Sequence, residues 1–202
     1  GRRRNPQRWG LIVVVALYLI ANALIWNFAV PGTRLTQAAD GSSWYRPALA
    51  LMTHGDFVDL ENPALIDTYR PPLYPLFAAA AMKIAGGPSP AAIAIAQILL
   101  LLLAGLLFRD IVRDWMPGWE DFGLALLLLN PNVLSSAQFV QSEILFLAFT
   151  TLAFWAATKY LSDRGAWRFA LLTGISFALA CLTRPTAQFL LFVPLFLFSK
   201  VG

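Results

Sequence analysis

Charge is scarce in this sequence. Charged residues fill 13% of its 202 positions, against about 25% in a soluble domain. Hydrophobic residues make up 58%, and the mean hydropathy is +0.64. That excludes an ordinary soluble globule and places the chain among polytopic membrane proteins. Cysteine is nearly absent too: Cys181 stands alone in an apolar run, so no intrachain disulfide can form. The single histidine, His54, leaves no zinc-type ligand spacing. There is no P-loop, no Gly-rich dinucleotide turn and no Ser/His/Asp set. The net charge of +4 and pI near 9.6 do not indicate nucleic acid. The basic residues lie mostly beside apolar runs, where membrane topology explains them.

What is present is a series of apolar runs. Roughly 20 apolar residues are needed to cross about 30 Å of hydrocarbon. Six stretches come near that: 9–30, 91–108, 121–138, 143–160, 167–183 and 186–200. The first follows Arg2, Arg3, Arg4 and Arg8 but is longer than a signal-peptide core, and no small-x-small site closes it. It reads as an uncleaved span. A seventh stretch, 73–85, is shorter and carries Lys83 between Pro71-Pro72 and Gly86-Gly87-Pro88-Ser89-Pro90. It reads as a juxtamembrane or re-entrant helix. The expected fold is therefore all-α: a polytopic membrane protein of about six transmembrane helices, with amphipathic juxtamembrane helices in a long first outer loop. The chain is expected to be one module over 1–202, with a first span at 9–30, an outer loop at 31–90 and five further spans over 91–200. Asn130-Pro131-Asn132 marks a break near the outer end of the third span.

Six spans with a cytoplasmic N-terminus gather Arg109, Arg113, Lys159, Arg164, Arg168 and Lys200 inside with the N-terminal arginines, as the positive-inside rule requires. The expected location is the plasma (inner) membrane. The segment 31–72 and the corners Gln141-Ser142-Glu143 and Thr183-Arg184-Pro185 then share the outer face. A polar loop of that length between spans is where chemistry or recognition is sought.

Each polar residue has a plain reading and a functional one. Asp40, before Gly41-Ser42-Ser43-Trp44-Tyr45, is either a helix N-cap or a general base or metal ligand at the lipid boundary. Glu143 opens an apolar helix, as a headgroup-level charge or an acid facing a cavity. Arg184 either snorkels to lipid phosphate or offers a forked donor set to a phosphate ester. Arg70 is either a solvated loop charge or a guanidinium whose direction the following Pro-Pro pair fixes. His54 and the acidic residues Asp56, Asp59, Glu61 and Asp67 read as solvated, and Trp9, Trp44, Tyr45, Trp115, Trp119, Tyr160 and Trp167 as interfacial belts.

The order of these elements is informative. Asp40 and a helix lead to Tyr69-Arg70-Pro71-Pro72-Leu73-Tyr74-Pro75, then Asn130-Pro131, Gln141-Ser142-Glu143 and Leu182-Thr183-Arg184-Pro185-Thr186. This set resembles the N-terminal conserved module of C-type (GT-C) glycosyltransferases, in the bacterial branch of protein O-mannosyltransferases and the lipid A aminoarabinose transferase. The resemblance implies a membrane enzyme moving a sugar from a polyprenyl-phosphate-linked donor to an acceptor on the outer face, among membrane lipids. By position it makes Asp40 the catalytic base, and Asp40 with Glu143 the ligands of a divalent metal cation. It makes Arg70, Arg184 and Tyr69 substrate-binding residues, the two arginines facing the carrier phosphate. Many relatives have Asp-Glu in the first loop, whereas Asp40 is followed by Gly41. Relatives also continue into further spans and soluble domains. With Gly1 in place of Met, the expectation is a fragment or processed chain, completed by a C-terminal half or a partner chain. The alternative is a non-catalytic lipid-binding or assembly subunit of the same fold. A small transporter fits less well, because the spans hold almost no charge and no inverted repeat.

Overall fold

The computed structural model describes residues 6–28, 41–62, 64–66, 70–162 and 166–191. It comprises α1 (Pro6–Phe28), α2 (Gly41–His54), α3 (Leu73–Ile84), α4 (Pro90–Trp115), α5 (Glu120–Leu128), α6 (Pro131–Gln138), α7 (Glu143–Ser162) and α8 (Trp167–Thr183), then a 3-10 turn, Pro185–Leu191. No strand is named among the described residues; one isolated antiparallel bridge joins Val58 and Ile66. The protein is an all-α membrane protein. Among the described residues, three helices are long and apolar enough to cross a bilayer: Trp9–Phe28, Pro90–Trp115 and Glu143–Ser162.

The sequence signals explain most boundaries. Ser89 caps α4 through its hydroxyl, which accepts from Ala92 N at 3.2 Å, and Pro90 takes the first helical position. Where one span was expected over 121–138, two helices stand. Pro131 has no N–H to continue the ladder, and its ring disfavours helical backbone at Asn130. Asn130 is extended there (ψ 122°) and its Oδ1 accepts from Asn132 N at 2.9 Å and Val133 N at 3.3 Å. The break expected near the outer end of this span thus divides it into halves. The span expected over 186–200 starts as a 3-10 turn after an extended Arg184, and residues beyond 191 lie outside the described ones.

Helix α4 runs past its expected end at 108 because its charges find lateral partners. Arg109 Nε donates to Asp121 Oδ1 at 2.7 Å, fastening α5. Lys159 Nζ on α7 lies 2.8 Å from Asp110 and 2.6 Å from Asp114. Trp155 Nε1 donates to Asp110 Oδ2 at 2.8 Å, and Arg113 pairs with the same aspartate. Without a hydrophobic drive between spans, close packing of small residues does the rest. Ala148, Ala153, Ala156 and Ala157 on α7 are buried, as are Thr173, Ser176 and Ala180 on α8. At Gly105 a β-carbon would stand 2.7 Å from the buried Leu128 side chain, so α4 and α5 meet backbone to side chain.

Two apolar clusters result. One joins Val14 and Tyr18 of α1 to Leu101, Leu124, Leu128, Leu134 and Ile144. The other packs Trp44 and Ala48 of α2 and Tyr74, Ala78 and Met82 of α3 against Ile93, Val140 and Leu145. This second cluster seats α2 and α3 on the bundle end where α7 begins, opposite the Arg109–Lys159 end.

Candidate active site

Glu143 is the first residue of α7 and Arg184 follows the last residue of α8. These two helices share the most extensive packing in the bundle, so their ends are held side by side. Arg184 NH1 donates to Glu143 Oε1 at 2.7 Å, a charge-assisted bond across 41 residues of sequence. Both side chains keep access to the surface, Arg184 38% exposed and Glu143 41%. The other carboxylate oxygen, Glu143 Oε2, is buried with no hydrogen-bond partner among the described residues, as is the hydroxyl of Ser142. The corner therefore holds a guanidinium at the surface and acceptors beneath it.

Arg70 stands on the same end of the bundle, in the α2–α3 layer. Its Nε and NH2 donate to Ser43 Oγ at 3.0 and 2.6 Å, and its guanidinium lies 4.6 Å from the centre of the Trp44 ring. Trp44 meets Tyr74 edge to face, with ring centres 5.2 Å apart. Tyr74, fully buried, donates to Gln97 Oε1 at 2.8 Å. Burial pushes the Tyr74 phenol well above its ordinary range and the nearby Glu143 charge adds to that, while the Gln141 backbone N–H opposes both. It is a neutral donor. Tyr74 packs with Val140 and Leu145 in one apolar cluster, which puts α3 beside the corner.

The structure thus brings Glu143 and Arg184 into contact and sets the Arg70 layer beside them. Asp40 and Tyr69 lie outside the described residues. Trp44 is not a belt residue: it is 5% exposed and supports Arg70. The Asp59 and Glu61 side chains keep access to solvent, as expected, and both approach Arg46 NH2, at 3.9 and 2.8 Å. His54 is exposed at the end of α2. Sequence reasoning passed over Ser43 and Gln97. Gln97, a lone amide in the apolar run of α4, was the signal available for the latter.

A divalent cation does not fit the described residues by themselves. No three His, Cys, Asp or Glu side chains cluster among them, and Arg184 already neutralises Glu143. The other expected ligand, Asp40, lies outside the described residues, so no step below is routed through a metal.

The described residues form an all-α membrane bundle that holds Arg70, Arg184 and Glu143 at one end. The model of the dolichyl-phosphate-mannose-protein mannosyltransferase family matches residues 69–201. The chain belongs to that family, whose members are GT-C glycosyltransferases using polyprenyl-phosphate sugar donors. The match includes Arg70, Glu143 and Arg184, and Asp40 precedes it. No curated protein and no solved structure matches the chain.

Proposed function

We propose that the chain transfers a sugar from a polyprenyl-phosphate carrier to an acceptor at the outer membrane face, as the module bearing the carrier-phosphate site. In this reading Arg184 and Arg70 hold the phosphate, Tyr69 lines the donor pocket and Asp40 is the base. The acceptor nucleophile attacks the anomeric carbon and gives its proton to the Asp40 carboxylate. The bond between that carbon and the phosphate oxygen breaks, and the electron pair leaves with the polyprenyl phosphate. Two guanidinium groups stabilise the departing charge where it develops.

The observation that carries the reading is the Arg184–Glu143 pair at the surface, next to the layer that holds Arg70. Glu143 keeps the Arg184 guanidinium aimed while the site is empty. A carrier phosphate can then take the bidentate bonds that a lone carboxylate oxygen leaves unused. The aminoarabinose-transferase branch, with a lipid acceptor, is part of the same proposal.

The test is release of polyprenyl phosphate from a panel of polyprenyl-phosphate sugars, with the protein in nanodiscs. Asp40→Asn should lower the rate by about 100-fold or more, the scale of a lost general base, with the unfolding midpoint unchanged. Undiminished release would remove Asp40 from the chemistry. Release absent from the wild-type chain and restored by a copurifying membrane chain would favour the assembly-subunit reading.

A further inference from the structure

Gln97 is a fully buried amide about two turns into an apolar helix of membrane-spanning length. A side chain of that kind needs a partner for each polar atom, since the surrounding hydrocarbon offers none. It has them. Oε1 accepts from Tyr74 OH at 2.8 Å, and Nε2 donates to Phe139 O at 2.7 Å and Ala137 O at 3.1 Å. These two carbonyls lie where α6 ends and Phe139 turns extended (ψ 150°), so the helix ladder leaves them without continuing N–H partners. One amide therefore closes the end of α6 and joins it to α3.

The segment it closes leads straight into Gln141-Ser142-Glu143. Its other side is held by a separate polar contact. Gln138 Nε2 donates to Asn22 Oδ1 at 2.6 Å, and Asn22 Nδ2 donates to Tyr18 O at 2.9 Å, both bonds buried. The corner is thus pinned from α1 and from α4 before α7 begins. On the α3 side, contacts run without a gap from Arg70 over Trp44, edge-on to Tyr74, and then through Gln97 to Phe139 O. Arg70 stands at one end of this chain of contacts, and its other end, Phe139, lies four residues before Glu143, the partner of Arg184.

We propose that Tyr74 and Gln97 are positioning residues that lock the Glu143–Arg184 corner to the Arg70 layer, fixing the spacing between the two halves of the phosphate site. The catalytic part of this rests on the transferase reading above; the mechanical coupling does not. An apolar pair would fill the same volume at this depth, but it would leave the two end carbonyls of α6 unpaired and the corner free to shift against α3.

Tyr74→Phe removes one hydroxyl at constant shape, and Gln97→Met removes the amide at similar volume. Each variant, in nanodiscs, is read by amide exchange over residues 139–145, by unfolding midpoint and by transfer rate at saturating donor. Exchange at the corner should rise about 5- to 100-fold, the range set by one lost or orphaned buried hydrogen bond. The transfer rate per folded molecule should fall by at least about tenfold on the same ground, and Tyr74→Phe should leave the unfolding midpoint within a few degrees. A merely structural pair would lower the midpoint and leave the rate per folded molecule unchanged, which overturns the positioning role. Corner exchange unchanged in a folded Tyr74→Phe variant overturns the coupling itself. If exchange rises as expected but the wild-type chain releases no carrier from any donor, the coupling stands and the transferase reading falls.

Discussion

Removing Lys159 tests how the bundle end opposite the site is held. Its ammonium lies 2.8 Å from Asp110 and 2.6 Å from Asp114, with the three side chains 22 to 30% exposed. Lys159→Met leaves two carboxylates at most about 5.5 Å apart, and at an effective dielectric of about 20 their repulsion is about 3 kcal/mol. Arg113 still faces Asp110, and partial exposure admits water, so the net loss should be about 1–3 kcal/mol. Trp155, hydrogen-bonded to Asp110 and neighbour to Lys159, reports the change. The assay is SDS-titrated unfolding in mixed micelles, followed by tryptophan emission. Adding Asp114→Asn to Lys159→Met should recover about 1 kcal/mol, because it deletes the repulsion that the first change exposed. A loss below about 0.5 kcal/mol for Lys159→Met, or further loss in the double variant, would refute the electrostatic account.

Two other consequences are open to measurement. Asn130→Ala removes the acceptor for Asn132 N and Val133 N; it should cost about 1 kcal/mol and speed exchange in α6, whereas Asn130→Asp should keep both values. Exchange in α6 that ignores the alanine would show that the break needs no cap. In the segment after α2, Asp59 accepts from Glu61 N at 2.7 Å and Asn62 N at 3.2 Å, and these bonds, the larger cause, with Arg46 nearby, hold its carboxyl below the ordinary aspartate range. A depressed value means the turn is stabilised above the unfolded pKa of about 3.9 and loosens as pH falls through the lower folded value. A carboxyl-detected NMR titration should find the Asp59 midpoint below the ordinary aspartate value of about 3.9; a midpoint at or above it would contradict the turn geometry.

Hydropathy and punctuation made several helices readable. The apolar runs expected from 91, 143 and 167 placed the starts of α4, α7 and α8 to within one residue. The short helix after Pro71-Pro72 ends at Ile84, one residue from its expected end. What escaped was lateral pairing. Arg109, Asp110, Arg113 and Asp114 looked like a boundary because a charge count along the chain cannot show that Asp121 and Lys159 stand beside them. Asn130-Pro131 read as a late break, because nothing local fixed how far along the span it would lie.

The site was legible to the same degree. Glu143 and Arg184 stood out as charges beside apolar runs, but their pairing depends on how α7 packs on α8. Gln97 was visible as a lone amide in an apolar run, but its role was not, since its partners Tyr74 and Phe139 lie 23 and 42 residues away. Trp44 looked interfacial because its sequence neighbours are polar, whereas its spatial neighbours are Tyr74 and Arg70. Periodicity reports which face of a helix is apolar, and only the fold reports what that face meets.

The central claim is that the corner joining α7 and α8 receives a carrier phosphate. Cryo-EM of the protein in nanodiscs with undecaprenyl phosphate tests it most directly. The account predicts the phosphate within hydrogen-bond reach of the Arg184 guanidinium, with Arg70 on the same side and the Arg184–Glu143 bond opened or shared. A phosphate bound instead at the Arg109–Lys159 end, or an Arg184–Glu143 pair untouched by a bound carrier, would contradict it.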